Sequence, residues 1–254
     1  MIFMDIQTKI VIDKKVKLKN PILITGLPGI GLIGRITAQY IVNKLKGKKI
    51  GELVSPHFPP NVIMLKDGTM KILNNELYLV NLKDKDIVFL MGDIQAIDNY
   101  GQYEVALKVL DLCKNLKIKK IITVGGYATG KISKRRTVYG LVNNKELIHE
   151  LKEYNIVFGK AKGSIVGIAG LLPALAMYHK IDGICLLGTT HGNFVDPKSS
   201  EKIVEILSKY LGFKICLKDL KKQAKIEEEV IKKVEEEINK KNVEMKNKSL
   251  SYIR

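Results

Sequence analysis

The apolar run Pro21-Ile22-Leu23-Ile24 ends at Gly26 and is followed at once by Gly29-x-Gly31-x-x-Gly34 and a three-four spaced apolar series, Ile33, Ile36, Tyr40, Ile41 and Leu45. This junction constrains the fold more than any other stretch, because a buried strand that turns directly into an amphipathic helix is the opening of an α/β unit. The turn has two readings. In one, the helix N-terminus faces a pyrophosphate, and Glu52, 23 residues past Gly29, binds a ribose hydroxyl. In the other, Gly29 and Gly31 supply positive φ, Gly34 lets the helix lie close on the sheet, and no ligand is involved.

Further along, Ile87-Val88-Phe89-Leu90-Met91, Ile121-Ile122-Thr123-Val124 and Gly183-Ile184-Cys185-Leu186-Leu187 are continuous apolar runs, as expected of strands buried on both faces. Helices are predicted from about Tyr103 to Leu116, Lys145 to Tyr154, Ile165 to Met177 and Pro197 to Tyr210. Short strands at Val62–Met64, Lys71–Leu73 and Glu76–Asn81 flank Asp67-Gly68 and Asn74-Asn75 turns. The expected fold is α/β, with a largely parallel central sheet, helices on both faces and some antiparallel strands at one edge.

From about Leu217 the composition turns to lysine and glutamate. Leu217, Leu220, Ala224, Ile231, Val234, Ile238 and Met245 form one stripe, and pairs such as Glu228–Lys232 stand four apart with the acid first. The expected organisation is a core domain over 1–215, a long charged amphipathic helix over 216–248, and a mobile tail over 249–254. The helix stripe needs a partner surface: its own core, a sister subunit or another protein.

The formal charge of +17 invites a nucleic-acid reading, but only Arg35, Arg135, Arg136 and Arg254 are arginines. Lysine has no planar fork for bases or phosphates, and Trp is absent, so a solvated surface is the better account. No apolar stretch is long enough to span a membrane and no secretory leader is read at Met1, which points to a cytoplasmic protein. Cys113, Cys185 and Cys216 sit in or beside apolar runs and read as reduced core thiols. No metal site and no catalytic constellation is read. His57 and His191 are candidates to line a cleft, and Asp93 and Gln95 follow a core strand at its carboxyl end, where α/β ligand sites lie.

Taken in order, Gly26-Leu27-Pro28-Gly29-Ile30-Gly31, Met91-Gly92-Asp93-Ile94-Gln95, Thr123-Val124-Gly125-Gly126-Tyr127-Ala128-Thr129-Gly130, Gly167-Ile168-Ala169-Gly170, Leu186-Leu187-Gly188-Thr189-Thr190-His191-Gly192 and Val195-Asp196-Pro197 resemble the proteasome assembly chaperone 2 family, its archaeal members above all. The resemblance implies a nucleoside-phosphorylase-like layout, self-association, and binding to proteasome core-particle α subunits, with no established reaction and no cofactor. Family members also carry an ATP-grasp-like label, for which this chain shows no constellation. Archaeal relatives often end in hydrophobic-tyrosine-any residue, a tail that inserts between α subunits. Here Tyr252 stands one place early and Ile253 is penultimate, so Tyr252, Ile253 and the carboxylate of Arg254 are the partner-binding residues the resemblance points to. The competing reading is a nucleotide- or nucleoside-dependent enzyme built on Gly29, Gly31, Gly34 and Glu52, with Asp93 and His191 nearby.

Overall fold

Continuous apolar strands need cover on both sides, and the chain supplies it with helices on each face of one nine-stranded sheet. The computed structural model describes residues 7–13, 16–131, 133 and 135–226. In chain order the elements are β1 (Lys9–Ile12), β2 (Ile22–Gly26), α1 (Ile33–Lys44), β3 (Lys48–Val54), β4 (Val62–Met64), β5 (Met70–Ile72), β6 (Asn75–Asn81) and β7 (Asp86–Gly92). There follow α2 (Asn99–Asn115), β8 (Lys120–Ala128), β9 (Val138–Val142), α3 (Glu146–Leu151), β10 (Ile156–Phe158), α4 (Ile168–Ala176), β11 (Asp182–Thr190) and α5 (Pro197–Leu211).

The sheet order is β1-β3-β6-β7-β2-β8-β11-β9-β10. Its centre, β7-β2-β8-β11, is parallel. The flanks are not: β1, β3, β6 and β7 pair antiparallel, and β9 lies antiparallel to β11. The sheet is therefore mixed, and the expectation of a largely parallel one holds only for the four central strands. The reason is local. Hairpin-type returns on the β3–β7 side need no crossover helix, so that half of the sheet reverses direction at each step. The segment β4–β5 is a separate two-stranded hairpin outside the main sheet.

Helices α1, α3 and α5 cover one face through Ile33, Ile41, Leu147, Ile203 and Leu207, and α2 and α4 cover the other through Val105, Val109, Leu110, Ile168 and Leu172. Side-chain caps set two of the starts. Asp98 accepts from Gly101 N at 2.7 Å, so α2 begins at Asn99, four residues before the sequence estimate. Asp196 accepts from Ser199 N at 2.9 Å, and Pro197 occupies the first turn of α5. The helix expected from Ile165 starts only at Ile168, after Gly167 at φ +83°, and ends at Ala176. Its surroundings are not wholly buried: Val166 is 90% exposed and Tyr178 77%.

A further helix begins at 218 and is described to 226. Its stripe finds a partner in its own core, with Leu220 and Ala224 buried and Leu220 packed in the α1/α5 face. Tyr40 donates to Cys216 O at 2.5 Å, and Lys44 pairs with Asp219. Cys216 itself is exposed, contrary to its expected place in the core. The rest of the expected 216–248 helix, and the tail with Tyr252, Ile253 and Arg254, lie outside the described residues.

Candidate functional site

Strand β2 has later strands on both sides, β7 on one and β8 on the other, so the carboxyl rim beside it is the topological switch point where α/β ligand sites form. The glycines gather here, and most of them are crowded by the chain itself. A Cβ on Gly126 would stand 2.2 Å from Ile30 O, and one on Gly34 would stand 2.5 Å from Val124 O and 2.9 Å from Leu27 O. Gly31 takes the left-handed region at φ +65°, and its carbonyl accepts from Asp196 N at 2.9 Å. Gly29 behaves differently. Its backbone is extended, at φ −167°, and nothing lies within 4 Å of its missing Cβ. So of the two glycines expected to supply positive φ, only Gly31 does, joined by Leu32 at φ +51°. Gly34 performs the close helix-to-sheet packing expected of it.

Gln95 ties this rim together. Its amide donates to Pro28 O, and its carbonyl accepts from Ile168 N at 3.2 Å, clamping the first glycine turn to the start of α4. Asp93 pairs with Arg35 at 2.6 Å in the open. Below the clamp is a cleft of about 510 Å³ lined by Gly29, Gly126, Gly167 and apolar side chains. Among the described residues its lining holds one charged group, Lys162, and no carboxylate or imidazole. Glu52 does not join it. Gly26, Met91, Glu76 and Glu52 form one cross-sheet row, which puts Glu52 three strands, or ~14 Å, from the glycine strand. It accepts there from Asn74 at 2.9 Å.

His191 follows β11, its ring 5.2 Å from Phe194, with a buried Nδ1 that has no partner among the described residues. It belongs to the rim at β8 and β11, where Gly130 N donates to its carbonyl at 3.2 Å. Next to it Arg136 meets Asp196 at 3.0 Å, both side chains nearly sealed from water at 7% and 5% exposure. That pair fastens the approach to β9 to the start of α5. His57 lies elsewhere, beside α2. Its Nδ1 is 3.0 Å from Asp98 and its Nε2 3.1 Å from Glu104, so both ring nitrogens are used for structure. Burial alone would lower its pKa, but the bonds to Glu104 and Asp98 outweigh that and raise it. Cys185 is a core thiol, 2% exposed, its pKa pushed up to about 11 by burial. Among the described residues no group of three or more His, Cys, Asp or Glu side chains could hold a metal ion, and no helix is long and apolar enough to cross a membrane.

The feature missed in the sequence is on the α2/α4 side. A groove of about 830 Å³ runs along α4, lined by Tyr103, Leu141, Val166, Leu171 and Met177 among others, and among the described residues its lining holds no charged group. Ile97, Tyr100 and Leu107 extend the apolar exposure along α2. The β4–β5 hairpin exposes Val62, Met64, Met70 and Ile72, with Met64 86% open. Upstream of the hairpin, Ile97 N donates to His57 O at 3.0 Å and the His57 ring packs on Tyr100 of α2 at 5.4 Å. The available signal was a second apolar spacing on α2, Tyr100, Tyr103 and Leu107, beside the core stripe Val105, Val109, Leu112.

Residues 23–235 match the model of the PAC2 family. An uncharacterized protein of Methanocaldococcus jannaschii is 38% identical over 227 residues, covering 88% of each chain. The crystal structure of Pyrococcus furiosus PbaB, described as an archaeal proteasome activator, superposes with a TM-score of 0.85 at 35% identity, over 91% of this chain and 99% of that one. Pyrococcus furiosus PbaA, described as an archaeal homolog of proteasome-assembly chaperone, gives 0.76 at 26% identity over 95% and 97%.

Proposed function

The chain belongs to the PAC2 family, and from that premise we propose that it is a non-catalytic, self-associating protein that binds proteasome core-particle α subunits in the manner of an assembly chaperone or activator. One observation carries the reading: the likeness to PbaB, 35% identical and covered over 99% of its length. The rim agrees with it. Gly34 and Gly126 are crowded by the chain's own backbone, although Gly29 stays open, and the cleft is lined without an acid–base pair among the described residues. In this proposal the core has the nucleoside-phosphorylase-like layout, acts in the cytoplasm, and carries a long amphipathic helix over 216–248 that presents Tyr252, Ile253 and the terminal carboxylate of Arg254. Several tails on one assembly would engage a symmetric α ring with avidity far above that of one tail.

A pull-down of archaeal α subunits by the full chain, beside a chain lacking Leu250 to Arg254, tests this. Capture by the full chain and its loss on truncation are expected. Capture by neither form removes the reading.

A further inference from the structure

The cleft of about 510 Å³ beside Gly29 gathers polar groups that the fold itself does not use. Thr25, near the end of β2, lines it and is 1% exposed, yet its hydroxyl makes no hydrogen bond among the described residues. Its cross-strand neighbour Thr123 shows the ordinary arrangement on that face, its hydroxyl donating to Ala169 O at 2.5 Å. A buried hydroxyl without a partner costs free energy, which a partner from outside the chain would offset. Gly29 is a second, separate sign. At φ −167° any residue fits, and nothing lies within 4 Å of its missing Cβ, so neither strain nor crowding calls for glycine there. The missing side chain leaves open space in the cleft wall.

Charge and lining define the occupant. Lys162 is the single charged group of the described lining, and Tyr127 fixes its backbone: the phenol donates to Lys162 O at 3.0 Å and accepts from Lys162 N at 3.3 Å. Helix α4 starts at the same cleft, with Gly167 at its N-cap and no side-chain cap, so the positive end of the helix borders it. Leu27, Ile30, Ile165 and Leu187 make the wall apolar. One lysine and one helix end match a single negative charge, which is too little for a pyrophosphate, and the described lining has no carboxylate to hold a ribose. We propose that this cleft binds a small monocarboxylate with an apolar body. Lys162 and the start of α4 take the charge, the Thr25 hydroxyl finds its hydrogen bond on the ligand, and the apolar wall takes the body. The site goes beyond the proteasome reading and stands or falls separately from it.

Calorimetric titration of the full chain with sodium octanoate tests this, with 1-octanol as the uncharged probe of the same body. Octanoate is expected to saturate a single site per chain and to bind at least about tenfold more tightly than octanol. Lys162 is exposed and Thr25→Val keeps the side-chain shape, so Lys162→Met and Thr25→Val should each retain the wild-type circular dichroism and melting temperature. Lys162→Met should bring octanoate down to the octanol level, and Thr25→Val should weaken it about threefold or more. Octanoate that does not saturate, or octanoate binding that either variant leaves unchanged, would overturn the proposal. So would equal binding of octanoate and octanol, the signature of the neighbouring groove along α4, whose described lining holds no charged group. Stabilisation by ATP or NAD and not by octanoate would overturn it in favour of a nucleotide. A chain that captures α subunits and ignores octanoate would sink this inference and spare the proteasome reading.

Discussion

The carboxyl rim and the α2/α4 face are both made of residues that look like binding determinants, yet the chain treats them in opposite ways. At the rim, all the motif glycines but Gly29 create room that the chain fills itself: Ile30 O sits over Gly126, Val124 O over Gly34, and Asp196 N on Gly31 O. On the outer face, Tyr100, Val166, Met177 and the hairpin methionines are left open. A glycine-rich turn after a strand thus reports close backbone packing, and a ligand only where the space it opens stays empty. What is available for recognition is the apolar surface that the core does not use.

Five substitutions would break or sharpen this contrast, all read first as unfolding free energy by chemical denaturation of the full chain. Arg136→Ala should have the largest effect, about 3–5 kcal/mol, because it strands the buried Asp196 carboxylate. A small cost would mean that water reaches the rim. Gly126→Ala follows at about 2–4 kcal/mol, since its new Cβ must displace the Ile30 carbonyl, whereas Gly29→Ala should stay within about 0.5 kcal/mol of wild type. Equal costs at the two glycines would erase the distinction between crowded and open rim positions. Gln95→Leu should cost about 1–3 kcal/mol by leaving Pro28 O and Ile168 N without their partner.

A small effect also belongs to His57, which packs against the start of α2. Its folded pKa is raised, so its stabilising contribution is complete below the unfolded value of about 6.5 and fades as pH climbs through the folded value. Glu104 is shifted the other way. Burial works to raise its pKa, but hydrogen bonds from Thr8 and His57 lower it, so its contribution is lost on acidification. His57→Ala should flatten the stability profile just above pH 6.5 by under about 1 kcal/mol. An unchanged profile would mean that the cluster does not tie His57 to α2.

Much of this was legible beforehand because the signal was local. Continuous apolar runs marked β2, β7, β8 and β11, Pro197 marked α5, and the Asp67-Gly68 turn marked the hairpin. Strand direction on the flanks was legible only in part: the turns predicted antiparallel strands at one edge, as β3, β6 and β7 show, but the antiparallel placing of β9 beside β11 is decided by which edge each strand joins. The same is true of Glu52, whose 23-residue spacing from Gly29 fits a nucleotide fingerprint while two other strands, β6 and β7, stand between β3 and β2. Gly125 and Gly126 read as the end of a strand, but β8 runs through them to Ala128 because Ile30 needs the space above. The exposed α2 face escaped notice because Tyr103 and Leu107 carry the same spacing whether they face the core or water.

The central claim is that the glycine rim is packing and that the chain acts by docking to a protein. Calorimetric titration of the full chain with a recombinant archaeal α ring tests it most directly, with Gly29→Ala run alongside. Saturable binding with the same affinity for both proteins is predicted. No binding to the ring, together with stabilisation by ATP, NAD or a purine nucleoside that Gly29→Ala abolishes, would contradict it.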